Sequence, residues 1–204
     1  WGLGDVAKIR LGALGRWQWQ RSIDKQQLQQ AFVAGSARVE PLGARALSAL
    51  PRYLQLQVVG RYDAGHQFLL DNISRDGQAG FEVLTPFVLA DGRTLLVNRG
   101  WVPLRDGSRE RLPDIAFSPA IESAITGRLD LLPVTGLEAG KAAPPIDGPW
   151  PRLTSFPVTA ELARALNRAI EPRQLLLDAK LPHGYRRDWQ PGSATFGPER
   201  HLAY

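Results

Sequence analysis

Between residues 53 and 103 the chain alternates apolar and polar side chains with a period of two, and turn signals interrupt the run at intervals. Successive side chains on a strand point to opposite faces, so this alternation calls for half-buried strands and leaves little room for helix. Leu54, Leu56 and Val58 alternate with Gln55 and Gln57, and Asp63-Ala64-Gly65 is a turn. Residues 68–73 form a second strand, Asp76-Gly77 a second turn, and residues 81–89 a third strand. Pro86 within that strand predicts an edge position or a bulge, because proline cannot donate to a ladder. Asp91-Gly92 predicts a two-residue hairpin turn of type I′. Residues 94–97 then pair back as a fourth strand that continues to Pro103. Connections this short make the meander antiparallel.

The flanks carry weaker signals. Residues 14–34 predict a helix stopped by Gly35-Ser36, although Trp17, Ile23, Leu28 and Phe32 follow a 3.6-residue period only in part. Residues 36–52 read as loop with one helical turn around residues 44–50. After a charged, proline-bearing loop at 104–120, residues 121–132 alternate again, with Ile121, Ile125 and Leu129 facing inward. Residues 133–152, rich in Pro and Gly, form a long irregular excursion. A second helix is expected to start with Thr159 as N-cap and Glu161 in its first turn. It presents Leu162, Leu166 and Ile170 as one stripe and stops before Pro172. Residues 174–178 make a last strand. The sum is an α+β fold: a mostly antiparallel sheet of about six strands with two helices, and a sheet of that size can curl into a small, partly closed barrel.

Composition narrows the chemistry. At 204 residues with 44% apolar and 22% charged side chains, the chain can build one core and is not disordered. It has no Cys, which excludes disulfides, thiolate metal sites and thiol nucleophiles. The longest uncharged apolar run, residues 83–90, is far short of the ~20 residues that a membrane helix needs. The net charge of +5 is uneven: residues 1–62 hold nine Lys/Arg against three acids, and the remainder is close to neutral. A basic front end suits nucleic acid, an anionic membrane surface or an anionic ligand. Catalytic patterns are missing. The three histidines, His66, His183 and His201, make no metal-binding pair at helical spacing, and no nucleophile elbow or phosphate loop is present. His66 and His183 sit in turns. Trp17 and Trp19, flanked by Arg16 and Arg21, suit a membrane interface, and equally a stacking surface for single-stranded nucleic acid. From the residues alone, a small-barrel nucleic-acid module is therefore a second reading.

Three blocks resemble the Surf1/Shy1 family. Leu14-Gly15-Arg16-Trp17-Gln18-Trp19-Gln20-Arg21, followed by Lys25, is similar to the segment after that family's first membrane helix. Leu95-Leu96-Val97-Asn98-Arg99-Gly100-Trp101-Val102-Pro103, preceded by Val83-Leu84-Thr85-Pro86-Phe87, is similar to its central motif. Arg200-His201-Leu202-Ala203-Tyr204 resembles the start of its second membrane helix. The resemblance spans residues 14–204 and implies a non-enzymatic assembly factor for cytochrome c oxidase. It implies binding or handing over of haem a for insertion into oxidase subunit I, with subunit I and haem a synthase as partners. It implies location in a bacterial inner membrane with the domain facing the periplasm. His201 then corresponds to the axial ligand of the haem iron, and Arg16, Trp17, Trp19 and Arg21 to a membrane-interface belt. Asn98 and Arg99 read as residues that fix the end of a strand. On this reading residues 14–199 are one extramembrane domain and residues 200–204 begin a second membrane helix. Residues 1–13, carrying Asp5, Lys8 and Arg10, do not conform to the apolar helix expected there.

Overall fold

The structure, a computed structural model, describes residues 3–132, 143–155 and 157–191. In chain order its elements are α1 (Leu3–Ala34), β1 (Val39–Pro41), β2 (Gln55–Tyr62), β3 (Phe68–Arg75), β4 (Gln78–Leu89), β5 (Thr94–Pro103), β6 (Ser123–Leu131), β7 (Arg152–Thr154), α2 (Thr159–Leu166) and β8 (Arg173–Leu177). The α+β expectation holds, with eight strands in one sheet instead of about six. The two additions, β1 and β7, have three residues each and pair parallel, β1 on β2 and β7 on β3. Three residues are too few to show alternation, so neither leaves a mark in the sequence.

The ladder closes on itself. β2 pairs with β6, β6 with β8, β8 with β5, β5 with β4, and β4 returns to β2. Closure is possible because β4 changes partner along its length. Residues 78–84 pair with β3, and residues 87–89 with β2. Pro86 lies at the changeover, in an internal strand, and not at the edge or bulge that the sequence predicted. Its carbonyl accepts the Asp63 N–H at 2.8 Å. The N and C=O of one strand residue point the same way, so the missing N–H faces the gap between β3 and β2, where no ladder acceptor waits.

The ring interior is filled by alternate residues of all five ring strands, among them Leu56, Val58, Phe87, Leu95, Val97, Ile125, Leu129 and Leu175. On the outer face of β3, β4 and β5, Phe68, Leu70, Leu84, Leu96 and Trp101 pack beneath Leu162 and Ala165 of α2. That helix departs from expectation at both ends. Its N-cap is Val158, with no side-chain cap, and it ends at Asn167, whose left-handed conformation (φ 52°) lets the Asn167 and Arg168 N–H groups bond back to Arg164 and Ala163. Ile170 still packs against the same cluster, outside the helix. Ile121 was expected to face inward. It precedes β6 and is 95% exposed.

The type I′ turn is found at the other candidate position. Asp76 and Gly77 both have positive φ (50° and 76°), as that turn demands. At Asp91-Gly92 only Gly92 does, and the loop is three residues long, closed by Gly92 N–H to Leu89 O at 2.9 Å.

Helix α1 begins at Leu3, earlier than the predicted residue 14, and residues 12–20 are all exposed. Its last turns meet the sheet. The Phe32 ring stands edge-to-face on Tyr53 at 5.3 Å, and the Arg128 guanidinium of β6 lies 3.8 Å over Phe32. Arg128 donates to the Phe32 carbonyl at 2.7 Å and to Ser36 Oγ at 2.5 Å. A cation thus satisfies a carbonyl that the helix end leaves without an intrahelical partner. Replacing Arg128 by Ala is expected to cost about 1 kcal/mol and to raise amide exchange selectively at residues 33–36. Unchanged exchange there would show that Arg128 does not hold the helix end.

Candidate functional site

The exposed front of α1 carries the basic and aromatic residues singled out from the sequence. Trp17 is 53% and Trp19 68% exposed. Arg21, one turn beyond Trp17, places its guanidinium 4.5 Å from that ring, a cation–π contact at i,i+4. Arg16 is exposed beside them. Trp17 and Trp19 lie on different sides of the helix, so together they make a belt rather than a stripe. Among the described residues no helix is long and apolar enough to cross a membrane.

The central block, residues 98–101, is buried. A β-bulge sets its geometry: Glu82 pairs with Trp101 and Leu84 with Asn98, so Arg99 and Gly100 together oppose Val83. The extra residue inverts the alternation beyond it. Leu96 and Trp101 therefore share one face despite their odd spacing, and the indole N–H of Trp101 donates to Ile73 O at 3.0 Å. Asn98 donates to Glu82 Oε2 at 2.8 Å and to Gln174 Oε1 at 3.2 Å, tying β5 to β4 and β8. Its Oδ1 accepts the Gly100 N–H at 3.1 Å, which holds the bulge.

Arg99 points the other way, to one end of the ring interior, and is 1% exposed. Its Nε donates to Thr85 Oγ1 at 2.8 Å. Nη2 donates to Gln67 Oε1 at 2.6 Å and Ile115 O at 3.2 Å, and Nη1 to His183 O at 2.6 Å. Phe117 covers the guanidinium at 4.0 Å and Tyr185 at 5.2 Å. No acidic side chain pairs with Arg99 among the described residues. Burial lowers its pKa, opposed by the facing Tyr185 and Tyr62. Burial also pushes the Tyr62 phenol up to about 12, so it stays neutral. Asn98 and Arg99 do not lie at a strand end, as the sequence suggested, but in the middle of β5 at its bulge, and both are sealed from solvent.

The histidines separate. His66 is half exposed and bonds Asp63 at 2.7 Å. His183, in a turn with positive φ, lies beside Phe117. His201 lies outside the described residues, as do residues 133–142 of the 133–152 excursion. Among the described residues no three His, Cys, Asp or Glu side chains group as a metal site. Two clefts among the described residues hold about 280 and 330 Å³. The first is lined by Arg61, Tyr62, Asp63, Val88 and Arg168, and neither presents a histidine. A haem needs a flat apolar slot with an axial imidazole, and these clefts do not fit one.

The sequence missed Arg128, Gln67 and the segment at residues 183–187, which meets the central block across more than eighty positions. The signal for that segment was thin: a run of Gly184, Tyr185, Arg186 and Arg187 after a proline turn.

No curated protein matches the chain. The SURF1 family matches it over residues 7–204, which takes in α1 from residue 7 onward, the whole sheet and the His201 segment. The chain therefore belongs to the SURF1 family, whose role is in cytochrome c oxidase assembly.

Proposed function

We propose that this protein holds haem a for insertion into oxidase subunit I, with His201 as the axial ligand of the iron. The observation that carries this reading is the family match over residues 7–204, a range that includes both the Trp17–Trp19 belt and His201. Haem a synthase is the proposed donor and subunit I the acceptor, at a bacterial inner membrane with the sheet domain on the periplasmic side. The chain acts as a carrier and not as a catalyst.

The geometry of the domain supports a membrane-facing end. Arg128 grips the end of α1 from β6. Trp189 donates its indole N–H to Leu177 O of β8 at 2.8 Å. Leu177 pairs with Gly127, the neighbour of Arg128. The stems of α1 and of the C-terminal segment are thus held on adjacent strands, about 5 Å apart in a sheet. Arg16, Trp17, Trp19 and Arg21 are proposed to sit among lipid headgroups, where Trp and Arg combine an apolar body with a polar edge. Neither of the two clefts described above fits a haem, and the contact is proposed to fall to the His201 segment. A neutral imidazole there would supply the ligand nitrogen.

The test is a haem a titration of the purified protein in detergent, read by visible absorbance, beside His201→Ala. The expected result is a bound-haem spectrum that the variant loses, with a drop in affinity at least as large as the roughly 10–100-fold that loss of a ligand's outer-shell partner costs. Binding that survives in the variant would move the ligand elsewhere, and no binding by either protein would overturn the carrier role.

A further inference from the structure

We infer that the buried Arg99-Gly100-Trp101 block is a positioning device: it latches residues 183–187 and so sets the stance of the C-terminal segment relative to α1. This goes beyond the haem reading and does not use it.

The latch is built from both backbone and side chain. Tyr185 N–H donates to Arg99 O at 2.7 Å. Trp101 N–H donates to Arg186 O at 2.9 Å, and Arg186 N–H returns to Trp101 O at 3.3 Å. Arg99 Nη1 reaches His183 O, and the Arg99 guanidinium faces the Tyr185 ring. Room for this approach comes from Gly100, at φ 107°, where an added Cβ would stand 2.6 Å from Arg186 O. A strand residue buried for stability alone would be apolar. Arg99 instead carries a desolvated charge with no acid among the described residues to balance it, and directs donors to the carbonyls of Ile115 and His183, on two loops. That pattern suits a group that fixes loops to a sheet.

The held segment is itself rigid. Arg187 donates to the carbonyls of Asp178, Ala179 and Leu181, at 2.6, 3.1 and 2.9 Å. Trp189 then bonds Leu177 O on β8.

The absence of cysteine allows paired spin labels on Gln30→Cys and Gln190→Cys, both exposed, with no background. The expected result is one narrow distance distribution in the otherwise unchanged protein. Arg99→Lys keeps the charge but lacks the fork. It should broaden the distribution and speed exchange at the Tyr185 and Arg186 amides by about tenfold or more, while ring amides such as Leu56 and Leu129 stay protected. If Arg99→Lys does not fold, Arg187→Ala, which leaves the ring untouched, is read by the same two measurements. An unchanged distribution and unchanged segment exchange would overturn the inference. So would ring and segment amides accelerating together, because that marks a purely structural residue. No haem enters the experiment, so its outcome is independent of the proposed function.

Discussion

Gly100→Ala should lower the stability of the domain by roughly 3 kcal/mol, which for a chain of this size is about 6–12 °C in Tm. Two effects add. At φ 107° an L side chain is strained wherever it sits. The added Cβ would also stand 2.6 Å from Arg186 O, 2.6 Å from Arg187 Cγ and 2.9 Å from Tyr185 C. Two of those atoms are backbone and cannot swing aside, so relief requires residues 185–186 to move off β5. The control is Gly77→Ala, also at positive φ (76°) but with nothing within 4 Å of the added carbon. It carries the backbone strain without the collision and should lose less than half as much. Thermal unfolding followed by circular dichroism measures both. Equal losses would mean that strain alone explains Gly100 and that the close approach contributes nothing.

Arg52→Ala should cost about 3–5 kcal/mol near pH 7, and distinctly less near pH 5. Arg52 Nε lies 2.6 Å from Asp130 Oδ1, and the Asp130 side chain is 1% exposed. Burial raises the Asp130 pKa even with Arg52 in place, since desolvation outweighs the ion pair, the hydrogen bond from Leu131 N–H and the more distant Arg173. Removing Arg52 takes away the main opposing influences, so the folded-state pKa rises further. A carboxyl with a raised folded pKa binds its proton more tightly in the folded than in the unfolded state. Its contribution is fully present below the ordinary carboxylate value and is lost as pH rises through the folded pKa. The variant should therefore regain stability on acidification relative to the parent. Urea unfolding at the two pH values tests this, and a loss independent of pH would show that Asp130 does not titrate in that window.

The meander was readable because its cause is local. Alternation, Gly at turns and short connections act within a few residues, so β2 to β5 and the strand at β6 could be placed before any contact was known. The turn types were less legible. Asp76-Gly77 and Asp91-Gly92 carry the same dipeptide, yet only the first has both residues at positive φ, because the flanking registers differ. Pro86 predicted an edge or a bulge and occupies neither, because its position at a change of partner depends on where β2 and β3 end. Of the candidate site, the residues of α1 were visible as a cluster of Trp and Arg. His201 stood out only through resemblance to a family motif.

The amino-acid sequence by itself determined the strand-rich core, the uneven charge, the lack of thiol chemistry and, through three ordered motifs, the family. Only the tertiary structure decided that the sheet closes into a ring, that Arg99 is buried with its donors on distant carbonyls, and that Trp101 shares a face with Leu96. Each of these depends on partners far away in the chain: Arg99 meets His183 across 84 positions and Arg128 meets Phe32 across 96. Periodicity reports what a residue needs from its neighbours in sequence. Which distant group satisfies a buried donor is settled only when the ring closes and takes water away from it.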